Sequence, residues 1–230
     1  MTRSEVLART QELIGYQFKD PELLHQALTH ASVADSRLDS NERMEFLGDS
    51  VLALVVCEEL FRRYQEYLEG ELTKLKSVIV SRKTCAQISD RLGLTPLLFL
   101  GKGMSNHDDV PTSLRAAVFE SVIAGIFLDG GLEAARSFIL EHAADFITQS
   151  DHDQHQRNHK SLLQQHAQKY MSSTPQYTQL DEQGPDHSKC FNVCVIIGNR
   201  RFPAAWGPSK KEAEQKAAQN ALAELDESYR

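Results

Sequence analysis

The chain has 230 residues, 41% of them hydrophobic and 25% charged, with a mean hydropathy of −0.41 and a formal net charge of −7. That length is generous for one small domain and comfortable for two, and no stretch approaches the ~20 apolar residues of a membrane span; Met1–Tyr16 also lacks the basic start and apolar centre of a signal peptide, so a cytoplasmic protein without a membrane partner is expected. The acid excess belongs to one part, because residues 1–157 hold 16 Lys and Arg against 24 Asp and Glu while residues 158–230 hold 9 against 8, so the overall sign does not exclude a nucleic-acid partner for the second part.

From Arg3 to about Ile147 the apolar residues recur at helical spacing with few alternating β-branched runs, which predicts an all-helical domain over residues 3–148. The expected helices are Val6–Ile14, Pro21–Thr29, Glu42–Tyr64, Glu71–Val80, Arg82–Leu92, Leu114–Leu128 and Leu132–Asp145. Asp20 supplies a cap followed by Pro21 in the first turn, and Gly130-Gly131 ends the helix before it. The loop Gly101–Pro111, which holds Asp108 and Asp109, is a polar connection.

The third of these helices carries chemistry. At roughly 100° per residue, Glu42, Glu45 and Asp49 fall within about 60° of one another. Met44, Phe46, Leu47, Val51, Leu52, Leu54, Val55 and Val56 cover the other faces, the pattern of a buried helix whose acidic stripe is partly desolvated. Carboxylates gathered there repel and must take up protons, pair with bases or bind a cation. The stripe contains no Lys or Arg, and Arg43 points elsewhere, so a divalent metal is the sharper reading and a solvated acidic face the bland one. Gly48 permits close approach of another backbone or a ligand.

The four cysteines, Cys57, Cys85, Cys190 and Cys194, lack CxxC spacing and read as reduced core residues. His152, His155 and His159 lie in a polar segment, where a chance cluster outweighs a zinc site.

Residues 149–157 belong to a run without a single apolar side chain and read as a linker. Beyond it, over residues 158–228, the expected order is α-β-β-β-α: a helix at His159–Tyr170, strands at Gln176–Glu182, Lys189–Ile197 and Arg200–Trp206, and an Ala-rich helix at Ser209–Leu225. Phe191, Val193, Val195 and Ile197 alternate with Asn192, Cys194 and Ile196, as suits a strand with one face on a core.

Asn41–Ser50, reading NERMEFLGDS, resembles the signature of the ribonuclease III family, and Thr29-His30-Ala31-Ser32 and Glu69-Gly70-Glu71-Leu72-Thr73 resemble its flanking motifs. Gly184-Pro185-Asp186-His187 and the run from Gly207 through Lys210-Lys211 to Gln215 resemble a double-stranded-RNA-binding domain. The resemblance implies an all-α ribonuclease III endonuclease domain followed by that RNA-binding domain. Its activity would be divalent-metal hydrolysis of duplex RNA to 5′-phosphates and short 3′ overhangs, in processing ribosomal RNA precursors and other structured transcripts. It also implies a homodimer through the catalytic domain.

A metal ion held by carboxylates lowers the pKa of bound water and neutralises charge on the phosphoryl oxygens, and hard oxygen ligands imply Mg²⁺ with Mn²⁺ as a substitute. By resemblance Glu45, Asp49 and Glu120 hold the metal, with Asp49 and Glu120 catalytic, while Glu42 and Glu69 match acidic positions towards the substrate channel and subunit boundary. The family also places an aspartate three residues before that glutamate, where this chain has Ala117. That departure motivates the alternative of a duplex-RNA-binding protein with weakened or lost cleavage.

A-form RNA hides its major-groove base edges, so recognition rests on 2′-hydroxyls and phosphates across minor grooves over ~16 base pairs. Lys210 and Lys211 in the first turn of the last helix, with Ser209 as cap, suit phosphates. Gln164 and Gln165 suit one minor groove and His187 the next. The plain alternative for Lys210 and Lys211 is a solvated pair beside Glu212 and Glu214.

Overall fold

Three helices of the first part begin where a side-chain oxygen meets N–H groups that a first turn leaves unpaired. In the computed structural model, which describes residues 1–101, 110–157, 159–185 and 188–228, with backbone alone at 152–157 and 226–228, Thr2 and Glu5 form a reciprocal capping box at α1 (Arg3–Ile14). Asp20 accepts from Glu22 N at α2 (Pro21–Leu28), and Ser81 accepts from Thr84 N at α5 (Arg82–Leu92). The remaining helices of this part are α3 (Glu42–Arg63), α4 (Glu69–Ile79) and α6 (Thr112–Arg157).

The chain divides into two compact units, Met1–Ser150 and Asp151–Arg230. In the first, Leu24, Leu28, Leu52, Leu60, Ile88, Phe119 and Ile123 are almost fully buried and form one core; each such side chain removed from water contributes about 1.5–3 kcal/mol. Among the described residues no helix is long and apolar enough to cross a membrane.

The Thr29–Ser32 stretch fixes the start of α3. Thr29 bridges to Phe99, His30 N donates to Phe99 O, Phe99 N donates to Leu28 O, and Asn41 N donates to Thr29 O at 2.9 Å. Asn41 and Thr29 are both buried, and their backbone N–H groups are paired, Asn41 N with Thr29 O and Thr29 N with Gln26 O. Ser32 Oγ accepts from Gly101 N at 2.9 Å and bonds His30 Nδ1.

Three expectations need correction. The helix α3 is not buried all round: Met44, Gly48, Val51, Leu52, Val55, Val56 and Leu60 face the core, while Phe46, Leu54 and Phe61 stand in solvent. Of the cysteines, all free, Cys85 and Cys194 are buried but Cys57 and Cys190 are exposed. The last helix of the first part, expected to end at Asp145, runs to Arg157, since from Leu132 onward no Pro or Gly halts it; the expected break at Gly130-Gly131 is present, with Gly131 non-helical at φ 80° and ψ −177°.

In the second unit α7 (His159–Met171) and α8 (Lys210–Ser228) cover one antiparallel sheet. Strand β1 (Gln176–Gln183) pairs with β2 (Cys190–Ile197), with Thr178 opposite Cys194 and an irregularity between Gln179 and Asp181. The expected third strand is split into β3 (Arg200–Arg201) and β4 (Ala205–Gly207), both paired with β2. Pro203 has no N–H to donate, which explains the gap. Leu163, Ala167, Val195, Ile197, Phe202, Ala218, Ala221 and Leu225 form the core between sheet and helices.

Candidate functional site

The acidic stripe of α3 meets α6 because Gly48 has no side chain. A Cβ built on Gly48 would lie 1.7 Å from the Glu120 carbonyl oxygen and 2.5 Å from its carbonyl carbon, so the two backbones touch. Gly48 directly precedes Asp49 and follows Glu45 by three residues, which brings both acids to Glu120. Ser121 fastens the same crossing, its Oγ lying 2.7 Å from Ala117 O and 3.3 Å from Asn41 O.

The three acids differ in solvation: Asp49 is exposed, Glu45 half-buried and Glu120 only 7% exposed. Burial, then the charges of Asp49 and Glu45, push the Glu120 carboxyl up to about 7, against the opposing pull of Cys85 and Arg82. Glu45 is likewise raised, first by burial and then by Glu42 and Asp49, with Arg82 opposing. Like charges in a poorly solvated place raise one another in this way. Glu42 is exposed, with an Arg37 nitrogen 3.6 Å away. Glu69, the first residue of α4, accepts from Thr73 Oγ1 at 2.8 Å and is not among the charges acting on Glu45 or Glu120.

The donor chemistry suits a hard divalent ion: three carboxylates, one buried, whose mutual repulsion a cation would relieve. The set is an arrangement of charges and not a formed cage, since among the described residues no three His, Cys, Asp or Glu side chains already stand so as to hold an ion. Ala117, 5% exposed and one turn before Glu120, adds no ligand. Asp108 and Asp109 lie outside the described residues.

A third helix reaches this place and was not foreseen from sequence. Cys85 of α5 is fully buried, and its thiol is pushed up first by that burial and then by the Glu120 charge. Arg82, three residues earlier, is exposed and acts electrostatically on both Glu45 and Glu120. The one available signal was their i, i+3 spacing behind the Ser81 cap, which says which helix face they share but not what that face meets.

In the second unit, Leu163 and Ala167 bury one face of α7 and leave Gln164 and Gln165 exposed. Ser209 Oγ accepts from Glu212 N at 3.2 Å and so caps α8. Lys210 and Lys211 are exposed, and Lys210 Nζ lies 5.5 Å from the centre of the Phe191 ring. Glu214 is engaged by Lys160 at 2.6 Å, and Lys160 N donates to Gln215 Oε1, which ties α7 to α8. The positive pair therefore stands clear of Glu214 at a helix start, a setting suited to phosphate. His187 lies outside the described residues.

The chain is similar to known proteins. A family model described as Ribonuclease-III-like matches residues 20–146, and one described as Double-stranded RNA binding motif matches residues 159–225. The chain is 51% identical over 219 residues to Ribonuclease 3 of Rhodopirellula baltica, covering 95% of this chain and 82% of that protein. It is 40% identical over 220 residues to Ribonuclease 3 of Leptospira interrogans, covering 94% and 89%. Among solved structures, the nuclease domain of ribonuclease III from Campylobacter jejuni, described for flexibility in a region involved in dimer formation, is 36% identical with a TM-score of 0.56, covering 60% of this chain and 95% of that one.

Proposed function

We propose, from the premise that this chain belongs to the ribonuclease III family, how its own residues divide the work of cutting a duplex. It is an endoribonuclease with a double-stranded-RNA-binding domain. Residues 3–148 act as the catalytic domain, 149–157 as the linker and 158–228 as the RNA-binding domain. Glu45, Asp49 and Glu120 hold Mg²⁺, or Mn²⁺ in its place, with Glu42 and Glu69 in lesser roles towards substrate and subunit boundary. The observation that carries this reading is the Gly48–Glu120 contact, which sets a buried carboxylate against two others on a neighbouring helix.

A divalent ion bound there supplies an activated water and positive charge facing the phosphoryl oxygens. Glu120, whose carboxyl is raised to about 7, would hold the ion in its deprotonated form, and the exposed Asp49 would orient the attacking water. Water oxygen bonds to phosphorus as the P–O3′ bond breaks, and the proton released reaches the departing 3′-oxygen, leaving a 5′-phosphate and a 3′-hydroxyl. Gln164, Gln165, Ser209, Lys210, Lys211 and His187 hold the duplex through minor grooves and phosphates. The substrates are cytoplasmic ribosomal RNA precursors and other structured transcripts.

The test is a long RNA duplex incubated with the protein in Mg²⁺ and in Mn²⁺, with Ala117→Asp alongside. The wild-type chain should yield fragments with 5′-phosphates, and Ala117→Asp should lower the Mg²⁺ concentration for half-maximal cleavage by about threefold to tenfold, because a further carboxylate three residues before Glu120 strengthens attraction for the ion. Retarded but uncut RNA would favour the binding-protein alternative, and an unchanged or higher midpoint for Ala117→Asp would remove the vacancy at 117 as a cause of weak ion binding.

A second copy of the chain completes the catalytic unit and gives each strand its own cut, with short 3′ overhangs. Phe46, Leu54 and Phe61 are 78%, 54% and 72% exposed and fall within about 80° on α3, an apolar row that a monomer would leave in water. Sedimentation should give a dimer for the wild-type chain and a monomer for Phe61→Arg. A Phe61→Arg protein that remains dimeric would exclude this face.

A further inference from the structure

The Thr29–Ser32 stretch seats α3 through its backbone, and that task makes no use of the His30 ring. Yet the ring is held. Ser32 N donates to His30 Nδ1 at 3.2 Å, and Ser32 Oγ lies 2.9 Å from the same nitrogen. Because Ser32 Oγ accepts from Gly101 N at 2.9 Å, its own proton is free to turn to His30 Nδ1. An imidazole nitrogen that accepts carries no proton, so the neutral ring bears its proton on Nε2. Gly101 packs so closely that a Cβ there would come within 3.1 Å of Ser32 Oγ, which keeps the serine in place and the ring with it. His30 is half-buried, and its Nε2 makes no hydrogen bond among the described residues.

Hydrogen bonds set the place of that unused donor. His30 follows Thr29, whose carbonyl accepts from Asn41 N at 2.9 Å, and Asn41 O accepts from Glu45 N at 2.8 Å and from Ser121 Oγ at 3.3 Å. The segment bearing His30 is thus joined to Glu45 on α3 and to the residue after Glu120 on α6. Resting on the ribonuclease reading above, we propose that His30 is a specificity-determining residue whose Nε2–H donates to a ribose 2′-hydroxyl oxygen beside the scissile phosphate. A neutral N–H suits a neutral hydroxyl, whereas the charge of the phosphate is met by the ion that the three acids hold. The 2′-hydroxyl is what separates RNA from DNA, so this contact makes the cutting step itself read the sugar, in addition to the RNA-binding domain.

The test is a double-mutant cycle between protein and substrate. Single-turnover cleavage, at saturating protein and Mg²⁺, is measured for an all-RNA duplex and for duplexes carrying a single 2′-deoxyribose at each position flanking the cut in turn. With the wild-type chain, one such substitution should slow cleavage about threefold to tenfold, the effect of one hydrogen bond. His30→Asn, whose amide oxygen can still accept from Ser32 N but which presents no donor at the place of Nε2, should cut the all-RNA duplex more slowly by the same factor and lose nothing further on that deoxy substrate. His30→Gln, whose longer side chain carries an N–H towards the place of Nε2, should recover part of the rate and part of the sensitivity to the deoxy sugar. Losses that multiply in the cycle would overturn the proposal by placing His30 away from the sugar, as would undiminished cutting by His30→Asn or a wild-type chain indifferent to every deoxy position. Equal losses in both variants with a lowered urea midpoint would overturn it by making the ring a structural part of the clamp. A wild-type protein that leaves the all-RNA duplex uncut in Mg²⁺ and Mn²⁺ would strike the ribonuclease reading itself, and this proposal with it.

Discussion

Asp49→Asn is expected to lower duplex cleavage about 10³-fold or more while leaving duplex affinity within about twofold of wild type. The change replaces one oxygen by an NH₂ group on an exposed side chain, so the fold should lose less than about 0.5 kcal/mol. It removes a negative ligand from a set of three, at a site where Ala117 already contributes none. The converse variant, Lys210→Ala with Lys211→Ala, should weaken binding uniformly across duplex sequences and reduce the steepness of its salt dependence by about 2 logarithmic units per logarithmic unit of salt, roughly one for each lost phosphate contact. At saturating protein it should still cut. Filter binding over a salt series and single-turnover cleavage separate the two behaviours. Wild-type cutting by Asp49→Asn would remove the acid assignment, and altered sequence preference with an unchanged salt slope in the lysine variant would remove phosphate contact.

Gly48→Ala should cost about 3 kcal/mol or more, the upper end for one added methyl group in a packed interior, since the new Cβ meets a backbone carbonyl and not the yielding end of a side chain. Helices α3 and α6 can relieve the clash only by separating, yet each is anchored by residues with no exposed surface, among them Val55, Val56, Phe119 and Ile123. Any separation carries Glu120 away from Asp49, and a shift of about 1 Å at a reacting centre lowers rate about 10²-fold. Urea denaturation should show the lowered midpoint, and cleavage measured well below that midpoint should show the rate loss in folded protein. A variant with wild-type midpoint and rate would mean that the helices do not meet at residue 48.

Much of this was legible because its causes are local. Ser81 before Arg82 and Gly93 after Leu92 fix both ends of α5, and the spacing of Glu45 and Asp49 fixes their common side of α3. What could not be read was tertiary. Sequence shows that α3 is apolar nearly all round, but not that Phe46, Leu54 and Phe61 look away from the chain's own core. Cys85 reads as one more small core residue, and only the approach of α6 makes it a neighbour of Glu120. Pro203, which has no N–H to donate, is the local signal for the gap between β3 and β4. Gln149–Arg157 has no apolar face to predict a helix, and its helical backbone continues one begun at Leu132.

The interrupted third strand has a consequence for how this domain behaves in a crowd. A sheet edge with a long row of free N–H and C=O groups is a template on which another chain can lay a strand. Here β3 is two residues long and β4 three, with Pro203 between them, so that border offers no continuous row. The opposite border, β1, carries its irregularity between Gln179 and Asp181, followed by Glu182, which breaks the spacing and adds charge. Both borders are thus poor seeds for intermolecular β-pairing, and copies concentrated along one RNA can lie side by side without their sheets joining end to end.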